Sequence, residues 1–137
     1  MSPLAALIPH QGRMCLLERV IHWDEAHIVA ATTTHRAPDH PLAAAGRLRA
    51  LHLCEYGAQA MAVHGALIAR AAGAHAAPGL LVALREVQLA CTELQQFGEI
   101  EVRAERLLTG PASWQYGFSV WHAGARLARG RAAIMRA

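Results

Sequence analysis

The order of patterns in this sequence predicts an α+β fold, with an antiparallel sheet packed on one long helix. Residues 48–71 run without proline and are rich in Ala, Leu and Met, a composition that favours helix. Residues 99–108 alternate Ile100, Val102 and Ala104 with Glu101, Arg103 and Glu105, which is the period of a half-buried strand. Strand-like runs lie before and after the helix, and strands gathered around a lone helix argue for this class.

The elements follow in order. Residues 14–23 are apolar and β-branched enough for a strand, and Asp24-Glu25-Ala26 reads as a tight turn. Residues 27–34 set Ile28 and Ala30 against Val29 and Ala31 and end in three threonines, completing a hairpin. The Ala/Gly-rich bridge at 42–46 reads as a loop. In the helix, Leu51, Cys54, Ala58, Met61 and Gly65 keep the helical period, yet Ala and Gly also occupy the other faces. A helix small and apolar all round is a buried one. The segment 73–79 reads as a second loop. Strands are then expected at 80–91, 99–108, 114–122 and 125–135, with turns at Gly110-Pro111 and Ala123-Gly124. A sheet wrapped on one helix leaves an edge, and pairing such edges about a two-fold gives a homodimer.

At 137 residues the chain is most simply one domain over 1–137. It is long enough to bury roughly 70% of its unfolded surface. The formal charge is +3 and all thirteen basic residues are Arg, a side chain that binds phosphate and carboxylate bidentately. They are scattered apart from Arg47/Arg49 and the set Arg126, Arg129, Arg131 and Arg136. They lack the interleaved aromatics of a nucleic-acid binder. Cys15, Cys54 and Cys91 form no C-x-x-C pair, which argues against a disulfide framework and for a reducing compartment. The apolar run at 1–9 has no basic start and stops at Pro9. It is too short to span a bilayer or to read as a signal peptide. The expected location is the cytoplasm, with no membrane partner.

The chemistry concentrates between His35 and Gln59. Glu55 lies in a helix whose other faces are built mainly of Ala, Leu, Cys and Met. Apolar surroundings disfavour the charged carboxylate and so suit a proton donor. Gln59 lies one turn further on the same face, within reach of the carboxyl or a ligand. An ion pair with an Arg across an interface is the alternative for Glu55. His35 precedes a Pro-containing turn, where an imidazole suits general-base work; capping or surface exposure is the alternative. His40 is a second candidate. No further donor completes a metal set with His35 and His40. Tyr56, Trp114 and Trp121 read as packing residues, and His10, His22, His27, His64, His75 and His122 form no motif. No P-loop, dinucleotide fingerprint, nucleophile elbow or zincin motif is present.

Three stretches carry a family resemblance. Ile8-Pro9-His10-Gln11-Gly12-Arg13-Met14-Cys15-Leu16-Leu17-Glu18-Arg19-Val20 resembles the opening Leu-Pro-His…Leu-Leu-Val-Asp-Arg-Val of hot-dog-fold 3-hydroxyacyl-ACP dehydratases. His35…His40-Pro41 resembles their His-x-Pro-x-His-Pro turn, and Glu55-x-x-x-Gln59 their helical Glu-x-x-x-Gln. Glu55–Gly65 is most similar to the branch found in aryl-polyene and related polyketide or fatty-acid clusters. There Glu-Tyr-Ala-Ala-Gln-Ala-Met-Ala-Val-His-Gly is typical, and Gly57 replaces one Ala here. The turn has one residue more before Pro38, the bridge after Pro41 is longer, and Arg49-Ala50 stands where Pro-Gly is usual.

The resemblance implies a hot-dog fold and a dimer with His and Glu from different subunits. It implies dehydration of a (3R)-hydroxyacyl thioester on acyl carrier protein to the trans-2-enoyl thioester. His35, or else His40, would take the C2 proton, and Glu55 would assist departure of the C3 hydroxyl. The amides of Ala50 and Leu51 at the helix start would stabilise the thioester oxygen. Gln59 and His40 would complete the substrate site. No metal or organic cofactor is implied, since the substrate carries phosphopantetheine. The arginines would face the acidic carrier. The alternatives are a hot-dog thioesterase, or a non-catalytic acyl-ACP-binding subunit beside a second hot-dog subunit.

Overall fold

The computed structural model describes residues 15–37, 39–44, 47–74, 79–94 and 98–136. The opening stretch quoted above therefore lies outside the described residues up to Met14, as do His10, Pro38, Ala45, Gly46, His75 and Pro78. The elements are β1 (Arg19–Trp23), β2 (His27–Thr32), α1 (Leu53–Ala71), β3 (Gly79–Leu89), β4 (Ile100–Thr109), β5 (Ser113–His122) and β6 (Ala125–Arg136). Short 3-10 turns at Thr34–Arg36 and Ala50–His52 lie between β2 and α1. The strands form one six-stranded antiparallel sheet in the order β1-β2-β4-β5-β6-β3. The helix packs against β2, β4, β5 and β6.

Two hairpin turns are specified locally. Asp24 Oδ1 accepts from the amides of Ala26 (2.9 Å) and His27 (2.8 Å) and so closes the β1–β2 turn. Ala123 and Gly124 both have positive φ, 48° and 83°, as a two-residue hairpin turn matched to the sheet twist requires. In β4, Ile100, Val102 and Ala104 are buried while the residues between them are not. Tyr116, Phe118 and Val120 do the same in β5.

Several expected boundaries shift, four of them with a bearing on the site or the sheet edge. Before β1, residues 15–18 are not strand, because the Leu16 peptide bonds to side chains instead of a neighbouring strand. β2 stops at Thr32, since the Thr34 hydroxyl turns back to the Leu16 carbonyl at 2.6 Å. The helix starts at Leu53; Arg49 is extended, with φ −76° and ψ 148°. Gly79, expected in a loop, opens β3. The expected helical stripe holds at Cys54 and Met61, which are buried, and moves elsewhere. Leu53, Tyr56, Gly57, Ala60, Val63 and His64 face the core, whereas Leu51 is 54% exposed and Ala58 and Gly65 are half-buried. Small residues on every face leave the stripe ambiguous, and the large side chains Leu53 and Tyr56 decide it.

Phe118 locks helix to sheet. A Cβ on Gly57 would lie 2.6 Å from its ring, and one on Gly130, its partner across β5–β6, would lie 2.8 Å away. The outer strand β3 is exposed along Leu81, Val82 and Leu84. Its pairing with β6 slips between Leu81 and Ala83 and again between Arg85 and Gln88. The second slip includes Glu86 at φ 54°, a bulge.

Candidate active site

The helix start is pinned from the side. The Leu94 amide donates to the Leu48 carbonyl at 2.9 Å, and the Ala50 amide donates to the Thr92 carbonyl at 2.8 Å. Ala50 is thus committed within the chain, which corrects the expectation that its amide faces a substrate. His52 N–H closes back on Arg49 at 3.0 Å. The Leu51 amide is the expected donor that remains at this end.

Glu55 sits in the first turn of α1 and is half-buried. A carboxylate there complements the helix dipole. Gln59, one turn on, is fully buried. Its Nε2 donates toward Glu55 Oε1 at 3.4 Å and its Oε1 accepts from the Leu16 amide at 2.8 Å. Of its two expected contacts, carboxyl or ligand, Gln59 therefore makes the first. It is a brace between Glu55 and the chain before β1.

His35 lies in the 3-10 turn after β2 and is 6% exposed; His40 is equally buried. The His40 ring has a defined tautomer. The Leu42 amide donates to Nδ1 at 3.0 Å, so in the neutral ring Nε2 carries the proton and donates to Tyr56 Oη at 2.8 Å. Burial, with His52 nearby, holds the His40 pKa below its usual value, while Asp39 pulls the other way. Both His40 nitrogens are engaged in the chain, so His40 as the base, or as a substrate contact, would first have to break one of these bonds. The Tyr56 hydroxyl also meets Thr34 Oγ1 at 3.0 Å. Tyr56, expected to be packing alone, thus contacts both sides of the histidine turn. A buried tyrosine hydroxyl needs a partner, and that was the available signal.

A second network at the far end of α1 was not legible. His64 is fully buried. Its Nε2 donates to the Asp24 carbonyl at 2.7 Å, leaving Nδ1 to accept from Tyr116 Oη at 2.7 Å. Arg106 Nε in turn donates to Tyr116 at 3.2 Å. Burial, the largest influence, holds His64 below its usual pKa. Its partners come from strands and turns remote in sequence, so no local motif marks it.

On the sheet face away from α1, Arg103, Arg126, Arg129 and Arg131 line an open groove of about 490 Å³ with Glu86 and Glu105. Arg131 approaches Glu86 at 3.7 Å, and Arg103 pairs with Glu101 and lies over Trp121. Arg126 and Arg129 have no carboxylate partner among the described residues. Among those residues no group of three metal-ligating side chains occurs, and no helix is long and apolar enough to cross a membrane.

A family profile described as ApeP dehydratase matches residues 2–137. No curated protein matches the chain. Among solved structures, the dehydratase heterocomplex ApeI:P from Xenorhabdus doucetiae aligns over 100% of this chain and 92% of its own, with a TM-score of 0.89 and 22% identity. A hypothetical thioesterase with coenzyme A from Streptococcus pneumoniae aligns over 87% and 84%, with a TM-score of 0.65 and 9% identity. A variant of the phenylacetic acid degradation protein PaaI from Thermus thermophilus aligns over 87% and 92%, with a TM-score of 0.63 and 20% identity. At such identities these likenesses show the fold, which is the hot-dog fold.

Proposed function

Because the chain belongs to the ApeP dehydratase family, we propose that it dehydrates a (3R)-hydroxyacyl thioester on acyl carrier protein to the trans-2-enoyl thioester. The observation that carries this reading is the half-buried carboxyl of Glu55 in the first turn of a mostly apolar helix, braced by Gln59 one turn on. His35 takes the C2 proton. The C2–H electron pair becomes the C2=C3 double bond as the C3–O bond breaks. Glu55 gives its proton to the departing hydroxyl, which leaves as water. The Leu51 amide stabilises the thioester oxygen while charge develops on it. A proton then passes from His35 to Glu55 to restore the starting state. His35 is preferred to His40 because both His40 nitrogens are engaged. No metal or organic cofactor enters this scheme.

The carrier is acidic in this reading, and the groove with Arg126 and Arg129 offers it a complementary surface. The likeness to a dehydratase heterocomplex favours a second arrangement, in which this chain works beside another hot-dog subunit instead of as a homodimer. The test is hydration of a crotonyl or longer enoyl thioester, with the protein alone and with a second subunit. His35→Ala and Glu55→Gln are each expected to lower the rate by about 100-fold or more. Wild-type rates in both variants would refute the assignment. Turnover only in the mixture identifies the heteromeric form, and release of free thiol identifies a thioesterase.

A further inference from the structure

We propose that Tyr56 is a positioning residue for this reaction, its hydroxyl tying the turn that carries His35 to the helix that carries Glu55. The inference rests on the dehydration reading, and in a dimer that takes His and Glu from different subunits the bond fixes one chain's His35 and Glu55, each at its own site, in a common frame. Tyr56 follows Glu55 in the helix, and Thr34 precedes His35 in the turn, so the 3.0 Å Tyr56–Thr34 bond joins the chain neighbours of the two side chains that this subunit contributes. The same oxygen accepts from His40 Nε2 at 2.8 Å, so it grips the turn on both sides of His35.

The direction of each bond is set. Thr34 Oγ1 donates to the Leu16 carbonyl at 2.6 Å, so Tyr56 donates to Thr34 and accepts from His40. The circuit then closes. Leu16 takes Thr34 on its carbonyl, and its amide donates to Gln59 Oε1. Gln59 leads back along the helix to Tyr56 and Glu55. Sliding the turn along the helix breaks at least one buried hydrogen bond, which opposes that motion. Burial pushes the Tyr56 hydroxyl up to about 12. It stays protonated at working pH and takes no part in the proton transfers. A tyrosine present only for packing would need its ring and not this oxygen.

The experiment compares wild type, Tyr56→Phe, Thr34→Val and the double variant as full chains, with the second subunit present if turnover requires it. Tyr56→Phe keeps the ring and Thr34→Val keeps the branching, so the fold is retained; thermal unfolding checks this. Misplacement of a catalytic group predicts a kcat loss of about 10- to 100-fold in each single variant, with KM within about twofold. The double variant should lose less than the product of the two single losses, because both remove the Tyr56–Thr34 bond, although Tyr56→Phe also removes the His40 bond and Thr34→Val the Leu16 bond. Thr34→Ser, which keeps the hydroxyl, should retain most of the rate. Unchanged kcat in both Tyr56→Phe and Thr34→Val, or losses that multiply, would overturn the proposal.

A second readout does not need turnover. Imidazole nitrogen spectra should show His40 as the Nε2–H tautomer with a protected proton, lost in Tyr56→Phe together with a shift of the His35 signals. If the wild type hydrates no thioester, the functional reading fails, yet these signals still judge the tie. His35 signals that stay put in Tyr56→Phe overturn it.

Discussion

Gly57→Ala places a methyl group where the structure has none to spare. In an open helix this change stabilises by about 1 kcal/mol, because Ala loses less backbone entropy than Gly. Here the new carbon would sit 2.6 Å from Phe118 Cδ2 and 2.7 Å from Cγ. The ring has no retreat, since it already lies over Gly130, whose own Cβ position is 2.8 Å from its far edge. Overpacking of this kind costs about 1–3 kcal/mol, which at least cancels the helix gain. The expected net effect is a loss of up to about 2 kcal/mol, or a fall of up to roughly 8 °C in Tm for a chain of this size. Urea and thermal unfolding read it. Phe118→Leu in the same background should relieve the clash, giving a coupling of at least about 1 kcal/mol in a double-mutant cycle. A rise in Tm for Gly57→Ala, or simple additivity with Phe118→Leu, would show that the helix does not rest on the ring. Glu55 lies two residues away, so a helix lifted off Phe118 should also lower kcat.

Three further outcomes are expected. Gln59→Leu leaves the Leu16 amide without its buried acceptor and should cost about 1–3 kcal/mol in urea unfolding; an unchanged midpoint would exclude the brace. His40 and His64 both have depressed pKa values, so each contributes stability in full above its unfolded value of about 6.5 and loses it as pH falls through the folded value. The urea midpoint should therefore drop between about pH 7.5 and 5, before the Asp24 carboxyl, itself lowered, begins to titrate, and His64→Asn should flatten that slope. Finally, Arg129→Glu should raise KM for a carrier-bound thioester by about tenfold or more while leaving a small soluble thioester unaffected; equal effects on both would remove the groove from carrier docking.

The fold was legible wherever side-chain period alone sets the structure. The alternation of β4 and β5 and the turn chemistry at Asp24 and Ala123-Gly124 are local. The helix stripe was legible only at Cys54 and Met61, because Ala and Gly bury equally well on any side and Leu53 and Tyr56 break the tie. In the site, Glu55 and Gln59 could be paired from their spacing, since one helical turn fixes their distance. The roles of His40 and Tyr56 depend on contacts across 16 residues of sequence, and the Ala50 amide is taken by Thr92, far along the chain. Such bonds depend on tertiary placement that no local pattern encodes. The Arg126–Arg131 cluster was visible in the sequence, but only strand register puts Arg103 beside it.

The two slips in β3 set a limit on growth. A strand added to this border would follow an even pleat only in short stretches, because the phase changes between Leu81 and Ala83 and again after Arg85. At Glu86 the backbone turns left-handed, and the outward amides and carbonyls beyond it fall out of step with those before. A continuation across the border must therefore be short and held in one register, beside the exposed Leu81, Val82 and Leu84. A border broken in this way disfavours open-ended edge-to-edge stacking.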